Sequence, residues 1–115
     1  MEMKEEKKGD VLIFTLEGEL MGGEETQAIQ ERIYKAIEEG TTNIVMDMEG
    51  VKWMNSAGLG ILMASLTTLR GSDGDLKLAN VTDRVLRPIE ITKLNCVIEI
   101  FDSVDKAVDS FASGG

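Results

Sequence analysis

Hydrophobic and polar positions follow one another in blocks that predict strands and helices in alternation. Residues 11–17 and 43–48 are nearly continuous apolar runs, typical of strands buried on both faces. Residues 24–39 and 56–70 carry apolar side chains at helical spacing, and a glycine follows each of these segments. Weaker patterns predict further elements: a polar strand at 3–8, a strand at 76–79, a helix at 82–91 that Pro88 shortens or distorts, a strand at 96–101, and a last helix that Ser103 caps.

This order, β-β-α-β-α-β-α-β-α, predicts an α/β fold. Helices between strands favour a mostly parallel or mixed sheet with right-handed crossovers. The periodicity leaves open whether the helices cover one face of the sheet or both. The first helix should bury one stripe of side chains. Its members are Ala28, Ile29, Ile33, Ala36 and Ile37.

The chain length predicts a single domain over residues 1–115, because 115 residues suffice for one core and not for two. We expect an ordered core over about residues 3–112 and a frayed tail at Gly114 and Gly115. Cys96, the one cysteine, lies in an apolar stretch, which favours a small core residue over a reactive thiol.

Charge and composition argue against several classes of function. A net charge of −9 disfavours nucleic-acid binding, which needs clustered lysine and arginine. With no histidine, the chain lacks Ser-His-Asp and Cys-His catalysis and the commonest transition-metal ligand, so we expect neither an enzyme nor a cofactor. No apolar run reaches membrane-spanning length and no signal peptide is evident, so we expect a cytoplasmic protein without membrane insertion.

The junction at residues 53–60 is the most informative stretch, because it joins a hydrophobic strand to a hydrophobic helix through Ser56. On geometry alone, Ser56 is favoured as the helix N-cap. A helix N-terminus also favours negative charge, so the same position suits an added phosphate. Gly58 and Gly60 follow without the lysine of a phosphate-binding loop, which favours close helix–sheet approach over nucleotide binding.

The four apolar residues near Ser56 and the carboxylate of Asp47 each allow two interpretations. Leu20 and Met21 interrupt a glycine-rich loop, and Trp53 and Met54 precede Ser56. These four side chains either close the end of the core or form a contact patch beside the serine. Asp47, near a strand end, is typical of a residue that holds a loop N–H and only weakly suggests an enzyme site.

The chain resembles the anti-sigma factor antagonist family of STAS domains from about residue 11 to residue 111. Asn-Ser-Ala-Gly-Leu-Gly at 55–60 is its most specific segment in this order of elements. Other segments support the resemblance. They are Gly-Glu-Leu at 18–20, which follows a strand, the segments 44–48, 76–81 and 101–107, and Thr-Lys-Leu at 92–94 together with Val97 and Ile98.

The resemblance implies a small regulator whose four- to five-stranded mixed sheet carries about four helices, mainly on one face. Such proteins bind an anti-sigma factor that is also a serine kinase, and so release a sigma factor. The kinase then phosphorylates the serine at the Ser56 position and ends the binding, and a metal-dependent serine phosphatase reverses this. The chain itself would be a monomer or a weak dimer. The residues expected to contact the partner are Leu20, Met21, Gly22, Trp53, Met54, Asn55, Ala57, Gly58 and Leu59.

Two positions depart from the family pattern. Met21 stands where the family often has aspartate, and Asn55 replaces the aspartate that often precedes the phosphorylated serine. Both changes remove a negative charge near Ser56. A phospho-switchable module is therefore one hypothesis, and a STAS module that is not phosphorylated, in another signalling or transporter-associated complex, is the alternative. An enzyme or ligand binder that uses Asp47 and Ser56 is a third.

Overall fold

The computed structural model describes residues 1–113; the predicted frayed tail, Gly114 and Gly115, lies outside them. Five strands and four helices follow in the predicted order. The strands are β1 (Glu2–Lys8), β2 (Val11–Leu20), β3 (Asn43–Met54), β4 (Asp75–Ala79) and β5 (Glu99–Phe101). The helices are α1 (Glu24–Glu38), α2 (Ser56–Arg70), α3 (Asp83–Ile91) and α4 (Val104–Ser113), with a short 3-10 helix at Leu94–Cys96.

The strands form one mixed sheet whose spatial order, β1-β2-β3-β4-β5, is also the chain order. β1 and β2 are antiparallel and joined by a tight turn at Gly9, whose φ is +60°. The other neighbouring pairs are parallel. Each parallel crossover moves one strand in the same direction, so right-handed connections place α1, α2 and α3 on the same face. This explains the predicted arrangement of helices mainly on one face.

The main core lies between this face and the three helices. It is built from the inward side chains of the strands and from Ile29 and Ile33 of α1, Leu62 and Leu66 of α2, and Ile89 of α3. A smaller cluster covers the opposite face, where α4 packs on β2, β3 and β4. Its members are Val11, Ile13, Val45, Ala79 and Ala107, with Phe101, Val104, Val108 and Phe111 at its margin.

Lys77 of β4 holds α4 against this second face. The side chain is buried, and its ammonium group donates to Ser110 Oγ at 2.7 Å. It also lies 4.2 Å from the centre of the Phe111 ring and 3.7 Å from the Glu99 carboxylate. A buried cation needs such partners, because desolvation disfavours its charge. At the other end of α4, a hydrogen bond to Asp105 raises the pKa of Lys8.

Some boundaries and burial predictions were wrong. β2 and β3 continue past residues 17 and 48 to Leu20 and Met54, because irregular pairing carries the ladder through stretches expected to be loops. β5 begins only at Glu99, since the 3-10 helix ends at Cys96 and a turn follows it. Cys96 is exposed there rather than buried. Ala28 is also exposed, at the edge of the buried stripe of α1.

Other predictions were confirmed. α2 spans residues 56–70 as expected, and α3 is short, with Pro88 inside its nine residues. Ser103 caps α4 by accepting the Lys106 N–H at 3.1 Å.

Candidate functional site

The junction between β3 and α2 is capped by Asn55, not by Ser56. Asn55 is the N-cap of α2, and its Oδ1 accepts the backbone N–H of Gly58 at 3.0 Å. The N-cap residue stands just before the first helical residue, and asparagine serves there as well as serine. Ser56 is instead the first residue of the helix, so the prediction that it is the cap was wrong.

Asn55 also ties the loop between β2 and α1 to the start of α2. Its Nδ2 donates to the Met21 carbonyl oxygen at 2.9 Å, and its own N–H donates to the Leu20 carbonyl oxygen at 3.3 Å. An amide is required for the first of these bonds, because an ionised aspartate has no donor. The departure from the family's aspartate therefore exchanges a charge for a cross-link between two segments.

The Ser56 side chain is exposed at this junction. Within residues 1–113 its hydroxyl has no hydrogen-bond partner, and the helix cap is supplied by Asn55. Ala57 beside it is exposed as well. The hydroxyl is therefore open to another macromolecule from the solvent side.

Two glycines allow the surrounding segments to approach α2. A Cβ at Gly58 would overlap the Leu20 carbonyl oxygen and lie 2.6 Å from Met54 Cγ. Gly22 has a φ of +93°, and a Cβ there would lie 2.8 Å from Ala57 Cβ. Close approach at Gly58 is thus confirmed. The same prediction for Gly60 was wrong, since a Cβ there meets nothing within 4 Å.

The four apolar side chains near Ser56 divide between the core and the surface. Leu20 and Met54 are 1% and 3% exposed and belong to the main core, so they pack beneath the site. Met21 and Trp53 are 43% and 46% exposed. Successive strand residues point to opposite faces, which is why Met54 turns inward and Trp53 outward.

The remaining residues of the predicted contact set vary in exposure. Gly58 is buried, Ala57 is exposed, and the others are partly exposed: Gly22, Asn55 and Leu59. Whether a partner contacts them stays a prediction.

Asp47 has a structural role. Its Oδ1 accepts the Glu49 N–H and the Asn80 side-chain amide, each at 3.2 Å. The carboxylate thereby orders the loop after β4, as expected of a loop-holding aspartate. Across residues 1–113, no group of three or more histidine, cysteine, aspartate or glutamate side chains is placed to hold a metal ion.

Sequence reasoning missed an apolar groove beside the exposed face of α2. The groove has a volume of about 430 Å³ and runs between α2 and the segment that follows α3. Its lining residues are Leu59, Gly60, Met63, Thr92, Lys93, Leu94 and Val97. The sequence carries one trace of the groove, the second glycine of α2 at position 60. In the described part of the chain, no helix has the length and apolar character needed to cross a membrane.

Comparisons with known proteins agree with this architecture. The STAS domain family matches residues 2–107. The anti-sigma-B factor antagonist of Staphylococcus aureus strain NCTC 8325 / PS 47 is 30% identical over 77 residues, which are 67% of this chain and 71% of the relative.

Solved structures share the fold. The anti-sigma factor antagonist SpoIIAA in its unphosphorylated form superposes with a TM-score of 0.84 at 21% identity, covering 97% of both chains. The Bacillus cell fate determinant SpoIIAA in its phosphorylated form gives a TM-score of 0.76 at 21% identity, covering 96% of this chain and 99% of that one. With the sheet order, the helix arrangement and the sequence match in agreement, this chain belongs to the STAS domain family.

Proposed function

We propose that this protein is an anti-sigma factor antagonist. It binds an anti-sigma factor that is also a serine kinase, and thereby releases a sigma factor. Phosphorylation of Ser56 ends the binding, and a metal-dependent serine phosphatase restores it. The protein acts as a monomer or weak dimer in the cytoplasm, as a binding module and not as an enzyme, without nucleic acid or membrane insertion.

The exposed hydroxyl of Ser56 is the observation that carries this proposal. Asn55 supplies the helix cap, so Ser56 has no structural duty that would require its hydroxyl. A kinase needs an accessible hydroxyl, and this one is exposed within residues 1–113 and accepts or donates no bond there. The similarity to anti-sigma-B factor antagonists adds the class of partner.

The position also explains how phosphate would act on binding without unfolding the domain. A phosphoserine carries roughly −1.5 to −2 charges at neutral pH. The N-terminus of α2 favours such charge, so the helix tolerates it. Beside the exposed Met21 and Trp53, however, the added charge is costly to desolvate in a contact. The switch therefore acts on the interface.

The contact surface has a rigid support. Asn55 fastens the Met21 carbonyl to the start of α2, and Gly22 packs against Ala57. Met21, Gly22, Trp53, Asn55, Ala57 and Leu59 then form the partner-facing set. Leu20, Met54 and Gly58 hold that set from below. A surface that is already ordered by such contacts loses less conformational entropy on association.

Mass spectrometry of the protein from its native host tests the proposal. Intact-mass and peptide spectra are recorded from growing and stressed cells, and co-purifying chains are identified. We expect a phosphate on Ser56 whose occupancy changes between the two states, and a kinase-type anti-sigma factor bound only to the unmodified form.

A specific observation favours the alternative, a constitutive STAS module in another signalling or transporter-associated complex. Asn55 and Met21 remove two acidic groups that the family often has beside its serine. Unmodified Ser56 in both growth states, with a partner bound throughout, would support that module and overturn the phospho-switch.

A further inference from the structure

The apolar groove beside α2 continues the surface that carries Ser56. Ser56, Gly60 and Met63 recur at positions i, i+4 and i+7, so they share one side of the helix. All three are exposed, and Gly60 and Met63 form one wall of the groove. A molecule seated over Ser56 and extending along α2 therefore reaches the groove without crossing another element.

Gly60 is the unusual residue of this surface. Glycine within a helix loses more backbone entropy on folding than alanine does. Gly58 needs its missing side chain, because Leu20 and Met54 lie against it. Gly60 has no such neighbour, and a Cβ there would point into open space. No contact within the described residues explains this glycine, whereas close approach by another chain would.

The residues that line the groove indicate which chemical groups of a partner it can bind. Leu59, Met63, Leu94 and Val97 contribute an apolar floor, and no aspartate or glutamate lines the groove. Lys93 stands at the margin in a left-handed conformation with φ +60°. It has no acidic partner among residues 1–113, although the chain carries 21 acidic residues. The groove therefore suits a partner segment in which an apolar side chain is followed by a carboxylate. The apolar side chain fits the floor, and the carboxylate complements the charge of Lys93.

We infer that the groove is the second half of the partner interface. The anti-sigma factor proposed above places an apolar side chain between Met63 and Val97, and its main chain passes over Gly60. A carboxylate of the same segment pairs with Lys93. This inference rests on the proposed function, because it names the same partner.

Binding titrations of the purified kinase-type anti-sigma factor with five forms of the full chain test the inference. The forms are the wild type, Ser56→Asp, Gly60→Leu, Lys93→Glu and Lys35→Glu. Leucine at position 60 extends into the groove and favours the helix, so the variant should fold. Lys35→Glu on α1 is the matched control, since it changes the net charge equally at an exposed lysine.

We expect Gly60→Leu to raise the Kd at least about tenfold and Lys93→Glu to raise it about three- to tenfold. Lys35→Glu should stay within about twofold of the wild type. Hydrogen exchange on the wild-type complex should also protect amides in residues 92–97, which lie outside the phosphorylated junction. This second readout does not depend on any variant.

The outcomes separate the two proposals. If Ser56→Asp weakens binding while Gly60→Leu and Lys93→Glu bind as the wild type and residues 92–97 gain no protection, the groove inference is wrong and the proposed function stands. If the wild type does not bind the kinase at all, both fall. Protection of 92–97 by a small apolar molecule instead of the kinase would likewise overturn the inference.

Discussion

Asn55 and Ser56 have different roles at the start of α2, although they are neighbours in the chain. Asn55 caps α2 and bonds to the Met21 carbonyl, while Ser56 occupies the first helical position with an unpartnered hydroxyl. Covalent modification of Ser56 therefore removes no hydrogen bond of the fold. Under the proposed function, Ser56 can therefore change its charge repeatedly without unfolding the domain.

Replacement of Ser56 by aspartate imitates part of this charge. We expect Ser56→Asp to weaken binding to the anti-sigma factor by more than about tenfold, because a carboxylate must be desolvated in the contact. The unfolding midpoint should change little, since an acid near a helix N-terminus is tolerated. Calorimetric titration and thermal unfolding measure the two effects.

Ser56→Ala is the control for that variant. It removes the hydroxyl without adding charge, so it should bind as the wild type does and accept no phosphate. Equal affinity of Ser56→Asp and the wild type would contradict the switch.

Asn55 should matter more for stability than its neighbour. We expect Asn55→Ala to lower the free energy of unfolding by about 1–2 kcal/mol, because both the cap and the bond to Met21 are lost. Asn55→Asp keeps the acceptor and loses only the donor, so its loss should be smaller. Urea denaturation compares the two variants, and an unchanged midpoint for Asn55→Ala would show that the cap contributes nothing.

At the scale of elements, α2 is the helix that organises the site. Its N-terminus abuts the end of β2 through Gly58, its inner face enters the core through Leu62 and Leu66, and its outer face stays open at Gly60. The two glycines thus have opposite surroundings, two residues apart on one helix. Gly58 faces the sheet, and Gly60 faces the solvent.

A pair of alanine substitutions measures this difference. Gly58→Ala should destabilise the fold by about 2 kcal/mol or more, because the Leu20 backbone has to move. Gly60→Ala should instead raise the free energy of unfolding by about 0.5–1 kcal/mol, since alanine favours the helix and meets no neighbour. Chemical denaturation gives both values. Destabilisation by Gly60→Ala would mean that an unseen contact occupies that space.

At the scale of the whole molecule, net charge is the property that we expect to affect the association rate most. A net charge of −9 on 115 residues favours a partner with a positive surface. Against that background, the lone lysine beside the groove is a local exception. For such a partner we expect long-range attraction to speed the encounter and local contacts to set the orientation.

Ionic strength tests the long-range part. We expect the association rate with the anti-sigma factor to fall about tenfold between about 0.05 and 0.5 M salt, because counterions screen exposed charges. The dissociation rate should change less, since apolar contacts at Met21 and Trp53 are not screened. Stopped-flow fluorescence of Trp53, the single tryptophan, follows both rates. An association rate independent of salt would exclude electrostatic steering.

The sequence by itself determined most of the architecture. Apolar periodicity located β2, β3, α1 and α2, because buried side chains recur with a different period in strands and in helices. Weaker patterns, with turn and cap residues, located the other elements. The bounds of α2 followed from a polar start and a glycine stop. The family resemblance pointed to Ser56. These conclusions rest on local properties, since each depends on residues near one another in the chain.

Only the tertiary structure decided how the junction is built and what it exposes. Periodicity could not separate Leu20 from Met21 or Met54 from Trp53, because irregular pairing of β2 and β3 sets which side chains face the core. Local residue preference also assigned the helix cap to Ser56, whereas the structure has Asn55 there. The groove arises where α2 meets the segment after α3, about 30 residues later. Packing between segments distant in the chain determines the junction and the groove, so neither can be predicted from the local pattern of side chains.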